Sequence, residues 1–178
     1  MSKTHRNIHI RLLGIALLAL CAATPALAQK NTSDKVIARD WSWMEKASRA
    51  GAAEVQASQL AAAKASSAKV RDYAQQLAND HAKANEELMA IASSKGITLP
   101  AEPDAAHKKT FAKLQGINGS PFDRLYMAQA GLQDHKDAVK LFKTGANDLK
   151  DPEIKAFAQK MLPTIEAHYK MARELELQ

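Results

Sequence analysis

The chain has 178 residues, 46% of them apolar and 5% aromatic, with a formal net charge of +6 and one cysteine. That length suits one domain with a real core, and a lone thiol excludes an intrachain disulfide. No basic run interleaved with aromatic residues is present, which argues against a nucleic-acid partner.

The first 28 residues read as a secretory signal peptide. Lys3, Arg6 and Arg11 give a positive leader, 12–23 is an apolar run, and Ala26 and Ala28 place small residues at the cleavage subsites before Gln29. The run is shorter than the roughly 20 residues a spanning helix needs, and Leu20 is too large to make Cys21 a good lipidation site. Cleavage after Ala28 leaves 150 residues with no cysteine. Their net charge is +3, because the leader removes three basic residues and no acidic one. The expected location is the periplasm or the medium, with no transmembrane span in the mature form. Any metal site in that chain has to use nitrogen and oxygen ligands.

After a polar lead-in at 29–39, the remainder, 40–178, carries helical periodicity. In the first helix the inward positions are Met44, Ala47, Gly51, Glu54, Ala57 or Ser58, and Ala61. Asp40 is the expected N-cap, and Trp41 and Trp43 are expected to cover the bundle end. Ser66-Ser67 breaks this helix. The second runs over 68–95 with Val70, Ala74, Leu77, His81, Ala84, Leu88 and Ile91 inward, a 4, 3, 4, 3, 4, 3 spacing. Gly96 and Pro100 stop it. A long connection follows, with a short helix over about 104–114 in which His107 is expected to face solvent. The third helix is expected to start at Pro121, with Leu125, Ala128, Leu132, His135, Val139 and Phe142 inward. The fourth starts at Pro152 behind Asp151, with Ile154, Phe157, Met161, Ile165, His168, Ala172 and Leu175 inward and Pro163 expected to kink it. No segment reads as a strand. The fold expected is an all-α four-helix bundle, and the long link between the second and third helices matches ferritin-like topology. The surface pattern leaves monomer and small homo-oligomer open.

Four inward positions are polar: Glu54, His81, His135 and His168. At about 1.5 Å rise per residue they fall within roughly one turn of the same level, so four helices each aim a side chain at one layer. Two explanations stand. Neutral imidazoles with one carboxylate are a donor set for zinc, iron or copper. Alternatively Glu54 and the histidines satisfy one another as a metal-free layer of buried polar groups. Asp80 and Asp134 precede His81 and His135, but neighbours diverge by about 100° on a helix. Each aspartate is therefore a candidate to orient a histidine of the next helix.

The run "AAEVQASQLAAAKASSAKVRDYAQQLANDHAKANEELMAIASSKGITLP", with "QDHKDAVKLF" and "DPEIKAFAQKMLPTIEAHYKMA", resembles a secreted bacterial family of unknown function. That family is often labelled predicted outer membrane protein and is grouped with ferritin-like bundles. The resemblance implies export and a helical bundle and carries no settled activity. Ferritin-like di-iron sites pair two glutamates with two Glu-x-x-His motifs. Here Ala78 and Ile165 stand three residues before His81 and His168, and His135 occupies the third helix. The departure favours a histidine-rich mononuclear site over a di-iron one. No Gly-x-Ser-x-Gly elbow or phosphate-cradling glycine loop is present, so no catalytic residue is named. The functional readings are an exported metal-handling or redox bundle, or a structural or envelope-stress interaction protein with a metal-free layer.

Overall fold

The computed structural model describes residues 36–176, and the predicted leader and most of the lead-in lie outside that span. Six α-helices account for almost all of it: α1 (Ala38–Lys64), α2 (Ala68–Ser94), α3 (Ala105–Gln115), α4 (Gly119–Tyr126), α5 (His135–Asp148) and α6 (Pro152–Glu176). A π-helical segment, Met127–Asp134, joins α4 to α5, so the three form one continuous rod. No strand occurs among the described residues.

The rods assemble as two helical hairpins, α1 with α2 and α5 with α6, packed face to face. The start of α1, the end of α2, the end of α5 and the start of α6 meet in one apolar cluster built on Trp43, Met44, Ile91, Leu149 and Ile154. The opposite ends meet in a second cluster on Ala61, Val70, Phe122 and Ala172. Hence α2 and the α4–α5 rod run in the same direction, and the chain has to travel the length of the bundle between them. Residues 95–118 make that crossover, with α3 laid against α1. This is the ferritin-like connection.

Local chemistry sets the ends. Gly96 takes φ +70° just beyond α2, a conformation that costs glycine nothing. Asp104 caps α3 by accepting the His107 backbone N–H at 2.9 Å, and Asp151 caps α6 through the N–H groups of Glu153 and Ile154. Asp123, on α4, reaches across to the α1–α2 turn and accepts the backbone N–H groups of Ser66 and Ser67 at 2.9 and 2.8 Å.

Three expectations need correction. Asp40 is not an N-cap: α1 starts earlier, after Ile37, and Asp40 is buried in its first turn. Its Oδ2 accepts from the N–H groups of Lys150 and Asp151, so it serves the approach to α6. Of the two tryptophans, Trp43 packs in the apolar cluster at the bundle end, its Nε1–H donating to the Leu141 carbonyl, but Trp41 stands exposed. On the third rod, Ala128 is exposed and Leu125 and Leu132 are only half-buried. Phe122, Tyr126 and Ala130 take the inner face instead. The cause is the π segment. Its i→i+5 bonding adds a residue to the turn, so the inward step from Ala130 to His135 is five residues rather than three or four. The inward sets proposed for the other three rods are buried or half-buried throughout. The α6 helix continues through Pro163, which faces solvent.

Candidate metal site

Between the two apolar clusters lies the polar level. Glu54 comes from α1, His81 from α2, His135 from the first residue of α5, and His168 from α6, and all four are buried. The imidazole centroids form a near-equilateral triangle with sides of 5.4, 5.4 and 5.5 Å. One nitrogen from each ring lies within 4.8 Å of the other two, a spacing a single metal ion can bridge.

Two of the rings have their tautomers decided from outside the triangle. His135 Nδ1 donates to the Ala130 carbonyl at 2.7 Å, which leaves Nε2 bare and facing His81 Nε2 at 3.4 Å. The acceptor lies within the π segment, so the same distortion that moves the helix register also aims this ring. His168 Nε2 donates to Asp80 Oδ2 at 3.1 Å, which leaves a buried Nδ1 with no hydrogen-bond partner. A carboxylate on the far nitrogen is the usual support of a metal-binding histidine.

The electrostatics hold the rings neutral. Burial, then the neighbouring His135 and His168, push His81 well below the ordinary histidine value. Burial brings His135 down to about 4, against the opposing effect of its Ala130 hydrogen bond. His168 is lowered by burial although Asp80 favours its charged form. Neutral imidazole is the form that binds metal. Glu54 behaves oppositely: burial, with Asp134 adding to it, raises its pKa well above the usual carboxylate range.

Glu54 does not complete the triangle symmetrically. Its Oε1 lies 3.5 Å from His135 Nδ1, the nitrogen already committed to Ala130. Neither of its buried oxygens has a hydrogen-bond partner. Asp80 and Asp134 part company. Asp80 orients His168 of the next rod, as described. Asp134 Oδ1 stands 3.8 Å from His107 Nε2 on the crossover helix. His107 is therefore not the solvent-facing residue expected. It is three-quarters covered, with Nδ1 2.9 Å from Asp104 Oδ1, and it fastens α3 to the rod that carries His135. Two tyrosines near the layer were not anticipated: Tyr73 donates to the His168 carbonyl at 3.3 Å, and the Tyr126 hydroxyl bonds to Ser58 at 2.9 Å. Their signal in the sequence was the Tyr at the inward flank of α2 and the Phe122–Tyr126 pair four residues apart.

A helical bundle with a buried, histidine-lined level defines the class. Residues 22–175 match the family model described as "Domain of unknown function (DUF4142)", and the chain belongs to that family. Among solved structures, a DUF305 fragment from Deinococcus radiodurans superposes with a TM-score of 0.69 at 12% identity, covering 79% of this chain and 96% of that one. A DUF305 protein from Streptomyces coelicolor, described as a candidate secreted protein, gives a TM-score of 0.65 at 16% identity, covering 76% and 89%. At such identities the likeness concerns the fold. No functionally curated protein matches the sequence. No helix among the described residues is long and apolar enough to cross a membrane.

Proposed function

We propose that this protein is an exported metal-binding bundle, processed after Ala28 and working in the periplasm or the medium. His81, His135 and His168 are the ligands of one zinc, iron or copper ion, and Asp80 is the outer support of His168. Glu54 stays in the unit as a neighbouring carboxyl beside His135, and Asp134 helps to hold α3 in place. The observation that carries this reading is a pair of buried, unprotonated nitrogens in a cluster of three imidazoles whose ligand atoms lie within 4.8 Å of one another. Ala130 and Asp80 take the protons of His135 and His168, so each ring keeps a bare nitrogen, His135 Nε2 facing His81 and His168 Nδ1 buried without a partner. Bare imidazole nitrogens buried this close together are stabilised by a proton or a cation between them.

A second reading rests on the 3.4 Å contact between His81 and His135. If His81 donates there, the layer satisfies itself in part without metal, and the protein is a structural or envelope-stress interaction module. Elemental analysis of untagged protein recovered from the periplasm separates the two. About one transition metal per chain supports the first. Metal-free protein whose melting temperature ignores added zinc, copper and iron supports the second. In the first case, His81→Leu, His135→Leu and His168→Leu each lose the metal, and the second loss adds little to the first because the ligands act as a unit.

A further inference from the structure

The histidine triangle opens onto a cavity of about 40 Å³, lined by His81, His168, Glu54 and Asp80 together with apolar side chains. By the same measure one water needs roughly 10–15 Å³, so the space holds a few small atoms and no more. Its walls include Leu88, Phe157 and Ile165, all buried. Ala84 on α2, Ala138 on α5 and Met161 and Thr164 on α6 also line it and are half-buried. Glu54 lines the same cavity, is 4% exposed, and has two oxygens without a hydrogen-bond partner. A buried polar group left without a partner costs free energy, and here the unpartnered group borders the only cavity among those described that also touches His81 and His168.

We propose that the metal position has an open coordination site facing this cavity, which takes water or a small anion of up to about three atoms, and that the Glu54 carboxyl hydrogen-bonds to that ligand. Three protein ligands with one exchangeable position is the pattern of reactive rather than structural metal sites. The cavity's size restricts the exchangeable ligand to small molecules. Its apolar walls exclude bulk water, which strengthens the hydrogen bond from Glu54. The inference rests on the metal reading above and adds that Glu54 serves the bound ligand, not the metal.

Cobalt(II) and azide test it. The metal-stripped protein is dialysed against cobalt(II), its metal content measured, and its visible spectrum followed as azide is added. The expected result is about one cobalt per chain with bands that shift saturably on azide addition. Glu54→Leu then retains cobalt and weakens azide about tenfold, the equivalent of one hydrogen bond, while Glu54→Gln stays within about threefold of the parent because its amide can still bond to the ligand. Ala84→Leu, which narrows the cavity one turn along α2 from His81, retains cobalt and abolishes the azide response. Cobalt uptake with a spectrum indifferent to azide overturns the open position and leaves the metal site standing. Loss of cobalt from Glu54→Gln overturns the role given to Glu54, since it makes the carboxylate a ligand. Failure of the parent protein to take up cobalt, zinc or copper overturns the metal reading itself.

Discussion

Asp80 on α2 accepts a hydrogen bond from His168 on α6 at 3.1 Å, while its chain neighbour His81 turns into the bundle and faces His135. One turn of α2 thus supplies one member of the triangle and the orienting group of another. The Asp80 carboxylate holds the proton of His168 on Nε2 and so keeps Nδ1 free. Asp80→Asn preserves size but removes the anionic acceptor. Metal affinity should fall by about 10- to 100-fold, measured by competition with a chromophoric chelator, with helicity unchanged. Unaltered affinity would mean that His168 binds through Nε2 or does not bind at all.

The metal-free protein should lose stability on acidification because of its neutral imidazoles. His135 titrates at about 4 in the folded chain, against 6.5 when unfolded. Between those values the unfolded chain takes up a proton that the folded chain refuses, so stability falls as the pH drops through that window, by up to about 3 kcal/mol for this residue. His81 and His168, also lowered, add in the same direction. Asp134, raised from 3.8 to about 6 mainly by burial, works against them: the folded state holds its proton more tightly, so acidification favours folding across that range. Glu54 acts in the same sense as Asp134. His135→Leu should therefore flatten the fall in melting temperature between about pH 6.5 and about pH 4 in chelator-treated protein. Equal slopes in parent and variant would show that His135 is not held neutral.

Close approach of the rods depends on missing side chains. A Cβ at Gly145 would stand 2.6 Å from the Trp43 indole, a rigid ring packed against Phe142 and Phe157 and tied to the Leu141 carbonyl. Gly145→Ala gains about 1 kcal/mol of helix propensity but overpacks the ring at a cost of about 1–3 kcal/mol. A net loss is expected in urea unfolding. A Cβ at Gly51 would meet Asn85 Oδ1 at 2.0 Å, yet that is the end of a half-buried side chain that can swing away. Gly51→Ala should therefore cost less than Gly145→Ala, and the reverse order would refute this account.

His107, held at Nδ1 by the α3 cap Asp104, links α3 to the rod behind the site through its 3.8 Å approach to Asp134. His107→Ala should speed amide hydrogen exchange in α3, which buries only Leu114 of its own residues. Exchange in α1 and α2 should stay as in the parent. Unchanged protection of α3 would show that Leu114 and Phe111 hold it alone.

The helices themselves were written in local chemistry. Apolar spacing marks three of the four inward faces, and Gly96, Asp104, Asp151 and Pro152 mark helix ends through backbone conformation and capping that need no tertiary partner. The level of the polar layer was legible too, because rise per residue converts position in the chain into height in the bundle. What escaped depends on groups far apart in sequence. The π segment places Phe122 and Tyr126 inward by a change of bonding that leaves the residue spacing ambiguous. Asp40 chose Lys150 and Asp151 over its own helix end, and His107 chose Asp134 over solvent, because packing brought those groups within reach. Which nitrogen of each histidine turns inward, and whether Glu54 stands across from the triangle or beside His135, are matters of side-chain direction. Periodicity assigns a residue to a face, but only the packed neighbours decide where its polar atoms point.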